Sequence, residues 1–244
     1  MEQWIAVSGS ERAVSQNAVR AEIYLWLSGV FAREQTSATL AAYLSGEGRE
    51  VLARIAAVPA LGDDAGRIVA LTAGWKGNDR QVRDLAAAFA RLFLVYGPQQ
   101  VPVYESVYTS ERGRICQQAT TEIGELLGRY GLSADGWPEP ADHIAVELEL
   151  LAYLTFRADN DGEAEAGRRE LLARHLLLWG PEFCARCIAS DTSGFYAAAA
   201  RILDALLVLE RTAPVAAGVS STTNPNGESA QHAAPAQHQA TEDS

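Results

Sequence analysis

The chain has 244 residues, and 48% of them are hydrophobic, enough for a sizeable core in one large domain. Its formal net charge of −11 repels phosphate backbones, which argues against nucleic acid as a partner and favours a cationic peptide or basic protein segment. No stretch reaches the roughly 18 uncharged apolar residues of a membrane span, and Met1 to Ser8 has neither the basic start nor the apolar run of a secretory signal, so the expected address is the cytoplasm, without a membrane partner.

Residues 1–15 read as a flexible N-terminus. From Gln16 to Arg33 the apolar residues Val19, Ile23, Trp26, Leu27, Val30 and Phe31 recur every three or four positions, which predicts an amphipathic helix. Shorter helices are predicted over Ser37–Leu44, Glu47–Val58 and Ala65–Ala73, with Pro59 and Gly62 punctuating the turn between the last two. Asn78 suits the N-cap of a long helix from Asp79 to about Tyr96, whose inner face carries Val82, Leu85, Phe89, Leu92 and Phe93. Gly97-Pro98 stops that helix, because proline lacks an amide hydrogen and restricts the residue before it.

An extended segment, Gln99 to Tyr108, is expected next. Thr109 or Ser110 then caps a helix running to Tyr130, with Gly131 past its end. The turn Gly136-Trp-Pro-Glu-Pro140 leads into a helix from Ala141 to about Arg157, with Ile144, Leu148, Leu151 and Leu154 in register. Helices over Glu163–Trp179 and Ser193–Glu210 follow, with a short helical piece at Pro181–Ala189 between them. No convincing run of period two and no internal repeat is present. The expected fold class is therefore all-α: a single-domain helical bundle of about ten helices over residues 16–211. Residues 212–244 read as a disordered low-complexity tail. Beyond Thr212 there is no aromatic residue, lysine or arginine, and too little apolar surface to offset an ordering entropy of roughly 1–2 kcal/mol per residue.

Three places carry candidate chemistry. Cys184-Ala-Arg-Cys187 is a CxxC without a second metal-ligand pair or a βαβ context, so two residues sharing one helix face is its simpler reading. Asp142, His143 and Glu147 lie at the start of a predicted helix. There Asp142 in the first turn complements the macrodipole, and His143 and Glu147, four apart, share one side. A helical metal-dependent hydrolase using Asp142, His143 and Glu147, with His175 as a further ligand, is the enzymatic alternative. The third place is the stretch from Gly97 to Tyr108, whose two prolines and two tyrosines form a connection longer than the 2–8 residues usual between bundle helices.

Leu92-Phe93, Gly97-Pro98 and Pro102-Val-Tyr104-Glu-Ser106-Val-Tyr108, followed some thirty residues later by Pro140-Ala-Asp142-His143-Ile-Ala-Val-Glu147, resemble the TorD-like family, the assembly chaperones of molybdopterin enzymes in the dimethyl sulfoxide reductase superfamily. The resemblance covers the helical layout from about residue 16 to 210. It implies a non-catalytic binder, without cofactor or metal of its own, monomeric or homodimeric. Its partners would be the catalytic subunit of a molybdopterin oxidoreductase and that subunit's twin-arginine signal peptide. Carried over residue by residue, the binding region includes Tyr104, Ser106, Tyr108, Pro140, Asp142 and His143, supported by Leu92 and Phe93. Glu105, Asp142 and Glu147 are expected to accept hydrogen bonds from arginine, and Tyr104, Tyr108, Leu92 and Phe93 to line an apolar groove.

Overall fold

The apolar periodicity of the sequence becomes eleven α-helices in the computed structural model, which describes residues 15–74, 79–134 and 136–212. They are α1 (Gln16–Ala32), α2 (Ser37–Ser45), α3 (Glu47–Ala56), α4 (Gly62–Ala73), α5 (Asp79–Phe89), α6 (Glu105–Thr109), α7 (Gln118–Arg129), α8 (Ile144–Arg157), α9 (Gly162–Leu171), α10 (Leu177–Ser190) and α11 (Phe195–Thr212). Two five-residue π-helical turns interrupt the pattern. Ala90–Leu94 ends α5, and Leu172–Leu176 joins α9 to α10. Among the described residues there is no strand, only one antiparallel bridge between Tyr104 and His143. The fold class is all-α, as the periodicity predicts.

Local chemistry sets several of the ends. Ser15, placed with the flexible N-terminus by sequence, is the N-cap of α1, where its side chain accepts from the Ala18 amide at 3.0 Å. Thr36 and Thr39 form a reciprocal capping box on α2. Gly131, at φ +67, closes α7 as expected. The Leu132 amide donates to the Leu127 carbonyl and the Gly131 amide to Gly128, a Schellman pattern that needs the left-handed residue.

The core runs through the middle of the bundle. α1 packs antiparallel along α8: Asn17 reaches Asp159 at one end, and the Ser28 hydroxyl donates to the Ala145 carbonyl at the other. α10 packs on α11, and α11 on α4. Phe31 stands edge-on to both Phe93 and Phe183, and Phe93 is edge-on to Phe89 and Tyr196. This aromatic knot joins α1, the π turn after α5, α10 and α11.

Four expectations are corrected. The segment Gln99 to Tyr108 is not extended throughout, because Glu105 to Thr109 close one helical turn. The next helix begins at Gln118, not at Thr109 or Ser110. Gly113 and Cys116 take positive φ between them, which breaks a helical path. The helix expected from Ala141 begins at Ile144, with His143 as its N-cap. The helices expected to end at Trp179 and restart at Pro181 are one continuous run from Gly162 to Ser190. Pro181 removes a single donor, and α10 continues through it. The expected N-cap Asn78, and the terminal segments 1–14 and 213–244, lie outside the described residues.

Cys184 and Cys187 are unpaired, buried members of the core. Burial pushes both thiols up, well away from the reactive thiolate. Their role in the fold is packing.

Because Phe31 is fully buried between two other rings, Phe31→Ala is expected to cost about 3–5 kcal/mol of unfolding free energy. Urea unfolding followed by circular dichroism measures this. A loss under about 1 kcal/mol would mean that the knot does not organise the core.

Candidate functional site

The two halves of the motif meet. The backbone at Val103–Glu105 runs beside Asp142–Ile144, with the Glu105 amide donating to the Asp142 carbonyl at 3.0 Å and the Ile144 amide to Val103 at 2.8 Å. A third backbone bond, Val101 amide to Leu92 carbonyl at 2.7 Å, ties the loop to the π turn after α5.

Asp142 holds the centre. Its side chain is fully buried, and its carboxylate accepts three hydrogen bonds: from the Ser106 amide at 2.9 Å, from the Ser106 hydroxyl, and from the Thr120 hydroxyl at 2.7 Å. The Ser106 oxygen in turn accepts from the Gln117 amide at 3.3 Å. One buried carboxylate thus joins α6, the first turn of α7 and the entry to α8. Asp142 precedes the N-cap of α8 and is not in the first turn, so its charge acts through these bonds and not through the helix dipole.

His143 supplies the cap. Its Nδ1 accepts from the Ala145 amide at 3.1 Å. The Tyr104 ring stands edge-on to the imidazole, with centroids 5.4 Å apart, and the Trp137 ring does so at 6.2 Å. Burial lowers the His143 pKa to about 4, against the opposing pull of Glu139 and Asp142, so the ring is neutral at pH 7. The Tyr104 hydroxyl donates to Glu139 at 2.6 Å. Tyr104, Trp137, Glu139 and Pro140 are all partly exposed and form a rim of aromatic surface and one carboxylate.

Behind the rim lies a second, buried group. Glu105 Oε2 is 2.8 Å from His175 Nδ1, and His175 Nε2 faces Glu122 at 3.8 Å. Glu147 accepts from the Trp179 indole at 3.2 Å. Burial first, and the neighbouring Glu105 second, push the Glu147 carboxyl well above the usual range. Tyr108 packs its ring on Trp179 with centroids 5.2 Å apart, donates its hydroxyl to the Pro102 carbonyl at 2.7 Å, and carries the Arg186 guanidinium over its face.

The expected binding residues therefore divide. Tyr104, Tyr108 and Pro140 reach the surface. Glu105, Ser106, Asp142, His143 and Glu147 are buried, with at most 5% of their surface exposed, and offer almost no free surface. Leu92 and Phe93, at 0% and 6%, face the core and do not line a groove; their neighbours Leu94, Val95 and Tyr96, at 61%, 57% and 94%, are the exposed apolar residues. The three residues of the hydrolase alternative do not converge on one point. Asp142, His143 and Glu147 each serve a different partner, and among the described residues no cluster of three or more His, Cys, Asp or Glu could hold a metal ion.

Sequence reasoning passed over Trp137, Glu139, Thr120 and Trp179. Trp137 and Glu139 carried one weak signal, a tryptophan and a glutamate inside a proline-flanked turn directly before Pro140. Thr120 and Trp179 carried none, because each acts across a long sequence separation.

His143 gives the site a pH dependence of known sign. Its folded pKa is depressed, so the stabilisation is complete above the unfolded value of 6.5 and is lost as pH falls toward about 4. This amounts to roughly 3 kcal/mol. His143→Asn keeps an N-cap acceptor and does not titrate. The difference in urea-unfolding stability between wild type and this variant is expected to shrink by that amount between pH 7 and pH 4. A difference that stays constant would show that His143 is not buried neutral.

Comparison with known proteins agrees with this architecture. The family model of the nitrate reductase delta subunit matches residues 34–185, more than half of the chain. The chaperone protein TorD of Vibrio cholerae is 35% identical over 194 residues, covering 76% of this chain and 87% of that protein. The TorD chaperone of Vibrio parahaemolyticus is 33% identical, covering 80% and 94%. A solved structure from Archaeoglobus fulgidus, assigned to redox enzyme maturation, shares the fold with a TM-score of 0.50 at 21% identity, over 82% of this chain and 99% of that one. The chain belongs to the TorD-like family that includes the nitrate reductase delta subunits.

Proposed function

We propose that this chain is a non-catalytic cytoplasmic chaperone. In this reading it binds the twin-arginine signal peptide, or the apo catalytic subunit, of a molybdopterin oxidoreductase of the dimethyl sulfoxide reductase superfamily. It holds that client back from export until the cofactor is inserted. Family membership supports the class of partner, and the relatives that share two thirds or more of their length with this chain are named as chaperones.

The observation that carries the reading is the rim of Tyr104, Trp137 and Glu139 on a rigid base. A guanidinium group is bound well by aromatic faces together with a carboxylate. The base is already built: Asp142 fixes Ser106 and Thr120, and His143 sets the rings. A preformed rim spends little of its binding energy on ordering. The net charge of −11 raises the encounter rate with a cationic segment. Leu94, Val95 and Tyr96, joined to the loop through Leu92 and Val101, offer apolar surface to the hydrophobic core of a signal peptide. The same surfaces suit an arginine-bearing segment of the mature subunit.

Calorimetry with a synthetic twin-arginine peptide tests this. Glu139→Gln is expected to weaken binding about tenfold with little change in melting temperature, because Glu139 is partly exposed. Asp142→Ala is expected to weaken binding and also to lower stability by about 2–4 kcal/mol, since it strands two buried donors of Ser106 and the half-buried Thr120 hydroxyl. Unchanged affinity in both variants, or equal affinity for a peptide with both arginines replaced by glutamine, would refute the assignment.

A further inference from the structure

Tyr108 belongs to the motif but not to the rim. It lies in the single turn of α6, four residues after Tyr104. Its hydroxyl is tied to the Pro102 carbonyl at 2.7 Å, and its ring lies on Trp179 with centroids 5.2 Å apart. The ring is thus held in one orientation, yet it stays partly exposed. Over it stands the guanidinium of Arg186, 5.0 Å from the ring centroid. Arg186 belongs to α10, and its Nε and Nη2 both donate to Glu182 Oε1, the first at 3.0 Å. Neither partner is sheltered: the Arg186 side chain is 48% exposed and that of Glu182 56%.

A guanidinium held between an aromatic face and a carboxylate is the arrangement that the rim offers to a client arginine. Here the chain fills it with an arginine of its own. Helix geometry alone does not account for the contact. Arg157 also lies over a tyrosine, Tyr153, and bonds Asp161, but those residues are spaced by four along one helix and its end, where side chains meet by construction. Arg186 and Tyr108 come from different elements, and α6 is placed by the Asp142 carboxylate, not by Arg186. The contact is also weak. An exposed cation–π pair and an exposed i,i+4 ion pair together favour the seated guanidinium by about fivefold to tenfold. A ligand arginine therefore displaces Arg186 at small cost, and the released side chain, half in water already, is readily solvated.

We propose that the Tyr108 face and Glu182 form a second guanidinium site, which Arg186 occupies in the unliganded chain and which a client arginine takes by displacing it. Arg186 is then a plug and not a strut. The site stands on the same base as the rim, because Ser106, held by Asp142, lies between Tyr104 and Tyr108 in the chain. Two guanidinium sites on one base suit a pair of neighbouring arginines, one on the rim and one at Tyr108. A ligand with a single arginine fills the rim, where among the described residues no arginine competes, and leaves Arg186 in place. The identity of the natural ligand rests on the chaperone reading; the site and its plug do not.

The first arm of the test uses no client. Arg186→Gln changes an exposed position and is expected to fold with little change in melting temperature. N-acetyl-arginine amide, titrated into this variant and followed by NMR, is expected to refill the site, moving the Tyr108 ring signals and the Trp179 indole in a saturable way. Wild type is expected to bind this probe about fivefold more weakly, and N-acetyl-citrulline amide, of the same shape without charge, to bind the variant about tenfold more weakly. The second arm is calorimetry with a twin-arginine peptide. Arg186→Gln is expected to bind it about fivefold more tightly than wild type does, and to gain less than about twofold for a peptide with one of the two arginines replaced by glutamine. A strut predicts the opposite sign, because loosening α6 weakens binding. The plug is overturned if Arg186→Gln binds the twin-arginine peptide equally or less tightly than wild type, or if N-acetyl-arginine amide leaves the Tyr108 ring unmoved in the variant. Where neither protein binds the peptide, the chaperone reading falls and the first arm alone decides the site.

Discussion

The Asp142 carboxylate is the contact on which the site depends. A buried carboxylate is costly unless its oxygens are filled, and here three donors from Ser106 and Thr120 fill them. The same bonds fix where the loop sits. The Asp142 carbonyl accepts from Glu105, the next residue along is the N-cap of α8, and the residue before Glu105 presents its ring to the rim. Remove the carboxylate, and α6 and α7, joined by a loop with two positive-φ residues, keep the Gln117–Ser106 bond but lose the group that gathers Ser106 and Thr120.

This arrangement separates support from contact. Buried polar groups build a rigid base, and partly exposed residues make the surface. Tyr104 links the two, because its backbone belongs to the bridge and its hydroxyl bonds Glu139 at the rim. Burial and the Glu139 carboxylate both push the Tyr104 hydroxyl up, so it remains a donor. Mutations in the base and in the rim should therefore differ in kind, the first coupling affinity to stability and the second acting on affinity alone.

The helical scaffold was largely legible in the sequence. The stripe from Val19 to Phe31 and the register from Ile144 to Leu154 reproduce the central α1–α8 pair, because a buried helix face must repeat every three or four residues. The Asp142–Ser106 connection was legible only as two motifs in one chain; their meeting depends on backbone bonds between residues about forty apart. The burial of Glu105 and Glu147 was not legible. A glutamate on a helix reads as solvated, and it is Trp179 and His175, brought in from α10 and the π turn before it, that pair with Glu147 and Glu105. Leu92 and Phe93 were assigned to a groove. Their place on the inner face of the helix, read from periodicity, is where the structure puts them; it is their neighbours Leu94, Val95 and Tyr96, at the end of the π turn and beyond it, that are exposed.

The most direct measurement is an NMR titration of the nitrogen-15-labelled chain with a twin-arginine signal peptide, following backbone amides and tryptophan indoles together. Shifts centred on Tyr104, the Trp137 indole and Glu139, with a second group at Leu94 to Tyr96, are the predicted result. Shifts confined to other elements, such as the surface of α4 and α11, with the Trp137 indole unmoved at saturation, would contradict the account.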